Sequence, residues 1–245
     1  MEDFAELLLT LASADRLTLF CSIARERFRL TQLASKLSAS TQETSRHLSR
    51  LQEVRLIEKQ SDGRFTLTSF GKTVEAILPS LRFLTEHSDY FLSHDISALP
   101  IEFIQRIGEL QHGEFAHGIG VVLSHTAHVL RDAKSYVWLA SDNVMDLGTI
   151  GAEAASGDLH LNIIVPVGSI AGAPPLTAKL AAIVEVRLFE KVCAGLALNE
   201  KTAGVALPDL SGKIDFNSGF ASSDPSFHKW CSDLFIFQWS KAKKI

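Results

Sequence analysis

The sequence holds only three cysteines, Cys21, Cys193 and Cys231, an odd number set far apart in 245 residues. That spacing argues against a disulfide framework and leaves no closely spaced thiolates for a metal. No apolar run approaches the ~18 residues that a membrane-spanning helix requires. The opening MEDFAELLLTL is acidic rather than basic, unlike a secretory leader, so the cytoplasm is the expected compartment and no membrane partner is expected. Internal repeats and low-complexity tracts are absent as well. What remains, 46% hydrophobic and 21% charged, is the make-up of a globular chain long enough for two modest domains.

Catalytic signatures are missing too. There is no GxSxG, HExxH or CxxC, and no His-x-Lys pair of the phospholipase D type. The GIG at Gly118 lacks a third glycine and follows no clear strand, so it does not read as a nucleotide loop. No enzyme and no cofactor are expected.

Charge is scarce overall, at a net −4, but it is unevenly spread. Residues 14–82 carry twelve Lys/Arg against seven Asp/Glu, whereas residues 83–245 carry twelve against eighteen. A basic region on an acidic body fits a DNA-contacting module joined to something else.

Within that basic region the periodicity predicts three short helices and a hairpin. SADRLTLFCSI carries Leu17, Phe20 and Ile23 at helical spacing, capped by Ser13 or Asp15, with Cys21 read as a core residue. TQLASKL follows, opened by Thr31, and SAS breaks the chain before STQETSRHLSRLQ, where Ser40 and Glu43 form a capping box. In this third helix Thr44, Leu48 and Leu51 share one narrow arc. Thr41 opens the helix, while Gln42, Arg46, Ser49, Arg50 and Glu53 lie opposite the buried arc, with Ser45 at its edge. LIEKQSDGRFTLT then reads as two strands about an Asp62-Gly63 turn, the two-residue hairpin signal. Thr68 caps a helix that Pro79 interrupts or restarts, and the next segment, PSLRFLTEHSDYFLSH, is an amphipathic connector.

These residues resemble a family. LTQLASKLSASTQETSRHLSRLQEVRLIEK is similar to the winged helix-turn-helix of the ArsR and MarR groups of prokaryotic repressors, over roughly Asp15 to Pro79. Ser45-Arg46-His47-Leu48 followed by Leu51 is especially close to the ArsR pattern. One departure is Arg55, which stands where those families commonly place the glycine before the wing. The polar arc would face the DNA major groove, with Gln42 suited to adenine and Arg46 to guanine. Ser45, Ser49 and Arg50 suit phosphates or water-mediated contacts, and Arg64 suits the backbone or the minor groove. The alternative for such an arc is a merely solvated helix face.

From Leu99 the pattern changes to strands alternating with helices, which predicts an α/β layer. LPIEFIQRIGEL is amphipathic and Ala116 to Arg131 reads as a longer helix. YVWLAS, LHLNIIVPV, VEVRLFE, AGLALN and GVALP read as strands, and PSFHKWCSDLFIFQW as a terminal helix capped by Asp224. The segments LPIEFIQRIGEL, AGLALNEKTAGVALPDLSGKIDFNSG and DPSFHKWCSDLFIFQW resemble the effector domain of archaeal winged-helix regulators of the methanogenesis-regulator (FilR) type. That resemblance implies an archaeal transcription regulator.

The expected architecture is therefore α+β to α/β. It comprises a winged helix-turn-helix over 1–79, a linking and dimerisation helix over 80–98, and an α/β effector domain with a mixed sheet over 99–245. The partners expected are double-stranded DNA, a second copy of the chain and a small-molecule effector. A docking module without sequence-specific DNA binding, or an enzyme in the second domain, are the alternatives. Leu7, Leu8, Leu11, Leu81, Leu84 and Phe91 are the expected dimer contacts. For the effector, His160 and Asn162 on one strand and Glu185 and Arg187 on another could converge near the GSIAGAPP loop, although an internal Glu-Arg pair is the simpler reading. His117, His125 and His128 share a helical face near His112, but without cysteine ligands no metal site is expected.

Overall fold

The computed structural model describes residues 1–142, 159–169 and 182–244. By its internal contacts the chain divides into two compact units, Met1–Pro79 and Ser80–Ile245.

In the first unit, α1 (Glu2–Leu11) precedes α2 (Ala14–Arg25), whose start is capped by the Ser13 hydroxyl accepting the Arg16 N–H. A two-residue strand, β1 (Phe28–Arg29), leads into α3 (Leu30–Leu37). Here the cap differs from expectation. The Gln32 side chain, not Thr31, reaches back and accepts the Arg29 N–H at 2.9 Å. Ser38 then takes the left-handed conformation, φ 52°, and turns the chain into α4 (Thr41–Glu53). The wing is β2 (Ile57–Lys59) and β3 (Arg64–Leu67), with β1 adding a third antiparallel strand in the order β1-β3-β2. Leu19, Phe20, Leu33, Leu48, Leu51, Leu56 and Phe65 form the core. This is a winged helix-turn-helix.

Three local expectations need correction. Cys21 is exposed, because the buried face of α2 is Leu19, Phe20 and Ile23. The wing turn is not a two-residue loop. Gly63 N–H donates to Gln60 O, Gln60 N–H donates to Arg64 O, and Gly63 sits at φ 80°, which is a type I turn closed by a glycine bulge. Finally, Pro79 does not end its helix. α5 runs unbroken through it from Ser69 to Glu86, opened by Thr68 Oγ1 accepting the Gly71 N–H. Gly71 has to be glycine, since a Cβ there would strike the Leu56 carbonyl.

At Arg55 the backbone takes the conformation that glycine favours. Arg55 occupies the left-handed region at φ 58°, its N–H and that of Leu56 closing α4 onto Gln52 O and Leu51 O. A non-glycine residue is strained there. Arg55→Gly is expected to raise stability by about 1 kcal/mol in urea unfolding. A loss of stability would contradict this assignment of strain.

In the second unit, α6 (Ser88–Ser93), α7 (Ile101–Gln105) and a 3₁₀ turn (Ile107–Leu110) lead to β4 (Glu114–His117) and α8 (Ile119–Asp132). Then come β5 (Tyr136–Ala140), β6 (His160–Pro166), β7 (Val184–Phe189), β8 (Gly195–Leu198), β9 (Ala203–Ala206) and β10 (Ser218–Ser222). The last elements are α9 (Pro225–Lys241), capped by Asp224, and β11 (Lys243–Lys244). The eight strands order as β11-β7-β6-β5-β8-β9-β10-β4. β5, β6 and β7 run parallel, and the remaining pairs are antiparallel. The sheet is mixed, as expected.

Strand alternation separates two cores. Val137, Leu139, Leu161 and Ile163 pack with Val129 and Leu130 of α8 on one face. Ala140, Ile164, Leu198 and Val205 pack with Trp230, Leu234 and Phe235 of α9 on the other. Among the described residues, no single helix is long and apolar enough to cross a membrane.

Candidate nucleic-acid interface

The seat of α4 is set by its buried arc. Thr44, Leu48 and Leu51 are all within 1% of full burial, and Thr44 Oγ1 donates to Ser40 O at 2.9 Å. The Ser40 hydroxyl accepts the Glu43 N–H at 3.1 Å, which fixes the helix start. With that side locked, Thr41, Gln42, Ser45, Arg46, Ser49 and Arg50 are all exposed. Ser49 Oγ donates back to Ser45 O at 3.0 Å, and Arg50 pairs with Glu53 at 2.8 Å. Arg46 makes no ion pair among the described residues. Arg64, at the start of β3, is exposed and lies 3.6 Å from Asp62.

One basic residue escaped the sequence reading. Pairing of β1 with β3 sets Arg29 directly opposite Arg64, and both are exposed. Like charges opposed across two strands repel, and an anion between them relieves the repulsion. A two-residue strand is too short to show in a periodicity, so only Arg64 drew notice. The neighbouring Phe28–Phe65 pair is buried, and Lys36 and Lys59 lie over these two rings at 4.7 and 5.9 Å.

The three histidines expected on one helical face do not all lie on a helix. His117 lies on strand β4 rather than on the helix that carries His125 and His128. Among the described residues the one group of three candidate metal ligands is Asp15, Glu43 and His47, with both carboxylates exposed and His47 Nε2 3.7 Å from Asp15. None of His112, His117, His125 and His128 belongs to it.

The expected effector residues fall on the α9 side of the second unit. Glu185 and Arg187 pair at 2.8 Å, and Lys244 lies 3.3 Å from Glu185. The Arg187 hydrogen bond, then that of Lys244, holds the Glu185 carboxyl below its ordinary range. Arg187 also donates to Trp239 O at 3.0 Å and stacks 4.1 Å from the Trp239 ring. The pair thus ties β7 to the end of α9, the simpler of the two arrangements considered. His160 is exposed and Asn162 half-buried. The GSIAGAPP loop falls mostly outside the described residues. A pocket does exist in this unit, between α8 and the sheet, and none of the four residues lines it.

Ser218, His94 and Asp215 also meet. Ser218 donates to Asp215 Oδ2, its Oγ lies 3.4 Å from His94 Nε2, and His94 Nε2 reaches the same carboxylate oxygen at 3.1 Å. His94 Nδ1 lies 2.6 Å from Tyr90 O, with its ring stacked on that of Tyr90. Burial pushes the Asp215 carboxyl up, but hydrogen bonds from Ser218, the Asn217 N–H and His94 outweigh it and leave it below the ordinary range. A depressed carboxyl stabilises the fold above its unfolded-state pKa, and that contribution is lost as pH falls through the lower folded value. Unfolding midpoints should therefore drop on acidification, and Asp215→Asn should flatten part of that drop. An identical pH profile in the variant would count against the network.

No family model matches the chain, and no curated protein matches it. Among solved structures it is similar to TrmBL2, an archaeal chromatin protein, at 13% identity, over 95% of this chain and 94% of that one, with a TM-score of 0.46. It is also similar to NolR from Sinorhizobium fredii, at 29% identity over 33% of this chain and 81% of that one, TM-score 0.30. A third likeness is to Nuc from Salmonella typhimurium, a phospholipase D family member, at 12% identity over 54% and 98% of the two chains, TM-score 0.37.

Proposed function

We propose that the chain is a DNA-binding transcription regulator, acting as a homodimer, whose C-terminal unit responds to a small molecule or partner. The observation that carries this reading is the outward arc of α4. It presents Gln42 and Arg46 on the first two turns of a helix whose other side is sealed into the core. A helix held this way offers its N-terminal residues to base edges in the major groove. Arg46 takes a guanine and Gln42 an adenine. Arg50, Arg64 and Arg29 meet phosphates, and Ser45 and Ser49 support them directly or through water. Arg50 and Arg64 start from exposed ion pairs that exchange carboxylate for phosphate at small cost.

The dimer forms through apolar side chains that the fold leaves exposed. Of the six expected contacts, Leu8 and Leu81 are exposed, at 48% and 54%. Leu7 and Leu11 pack on the helix-turn-helix core, and Leu84 and Phe91 pack on the core of the second unit. Phe4 on α1 and Phe70 and Ile77 on α5 take their place, and 70, 77 and 81 form one helical stripe. Ile77→Glu together with Leu81→Glu should convert dimers to monomers in sizing with light scattering. A wild type that is monomeric at micromolar concentration would refute the dimer.

The experiment for the function itself is a comparison of affinity for a selected duplex and for a scrambled one. Preference for the first supports a regulator. Equal, weak binding to both would favour a docking module instead.

A further inference from the structure

We propose that the cleft between α8 and the sheet binds a small, uncharged, mainly apolar molecule whose hydroxyl hydrogen-bonds to His125. This rests on the reading of the C-terminal unit as a sensor and names the site and ligand chemistry of that unit. The cleft is half open, and its empty space is about 530 Å³ when the open solvent at its mouth is included. Glycines and alanines of β8, β9 and β10 form much of its wall, and among the described residues no lysine, arginine or carboxylate lines it. Such a lining disfavours an anion and also disfavours a sugar, whose many hydroxyls would lack partners.

Three independent features point to a ligand here. The first is His125 Nε2, buried and without a hydrogen-bond partner among the described residues. Buried polar atoms are nearly always satisfied, so an unsatisfied one on a side chain that lines a cleft marks a place for a missing partner. The second is topology. Leu139, Ala140 and Ser141 of the lining sit at the carboxyl end of β5, which pairs parallel with β6 on one side and antiparallel with β8 on the other. Crevices outside the carboxyl ends of parallel strands are the usual ligand positions of open α/β sheets. The third is Gly204. A Cβ there would come within 2.8 Å of the His125 ring, so the close seat of the imidazole depends on glycine at that position.

Burial and then the nearby His128 lower the pKa of the ring, which favours its neutral form. A neutral imidazole nitrogen either donates or accepts, and a hydroxyl answers both. Thr126 and Ser141 contribute further hydroxyls to the lining.

Phenol is a suitable probe, with toluene as its partner lacking the hydroxyl, titrated by calorimetry into the full chain in the absence of DNA. Wild type should bind phenol saturably and more tightly than toluene. His125→Phe keeps the ring and removes the nitrogen, so phenol should weaken about 3- to 10-fold while toluene is unchanged. Ala221→Leu, which fills the cleft from β10, should weaken both. Absence of saturable phenol binding, or phenol affinity indifferent to both variants, would overturn the proposal. Because no DNA is present, that failure would leave the DNA reading standing.

Discussion

Replacing Trp230 by alanine should remove about 3–5 kcal/mol of stability, the largest loss from any single substitution considered for the second unit. Trp230 is fully buried in the middle of α9, its ring edge-on to Phe103 at 5.7 Å. Its indole N–H donates to Phe103 O at 3.1 Å, so the substitution opens a large cavity and also orphans a buried carbonyl. The same helix carries Leu234 and Phe235 into the core beneath β8 and β9. Urea unfolding followed by circular dichroism reads the effect as a lowered midpoint for the C-terminal unit. A change below ~1 kcal/mol would mean that α9 does not anchor this sheet.

How much of this could be read from residues alone depended on the range of the interactions. The α4 arc was legible because Thr44, Leu48 and Leu51 repeat at helical spacing and Ser40 is a local cap. The capped start of α9 at Asp224 and the alternation in β5, β6 and β7 were local too. Much of what failed was decided by partners distant in sequence. Ala116 and His117 read as the start of a helix because they precede α8 directly, yet they belong to β4, which pairs with β10 a hundred residues later. β1 exists only because β3 lies beside it. Pro79 misled because a proline penalises but does not forbid a helix that packing on both sides maintains. Alternation puts Glu185 and Arg187 on one face, but the Trp239 that holds Arg187 is more than fifty residues away. His125, the residue on which the cleft proposal turns, stood out in sequence only as one histidine among several.

The second large effect concerns DNA. Arg46→Ala should cost about 1–3 kcal/mol on the preferred site and little on random duplex, because a bidentate arginine–guanine contact discriminates between bases. Arg46 is exposed, unpaired among the described residues, and one turn from Gln42. Arg50→Ala, Arg64→Ala and Arg29→Ala should instead weaken both duplexes alike and lower the salt slope by about one unit each. Loss of Arg29 or Arg64 also relieves their mutual repulsion, so neither variant should destabilise the fold.

The most direct test of the central claim is selection of duplexes from a randomised library by the purified full chain, followed by titration of the winner and its scramble across a salt series. A dimeric winged-helix reader should enrich a two-fold symmetric sequence with half-sites about 10 base pairs apart, or a multiple of that. Its preference over the scramble should be eroded by Arg46→Ala and kept by Arg50→Ala. No enriched sequence, or an affinity identical for winner and scramble with and without Arg46, would mean that the polar face of α4 meets only water.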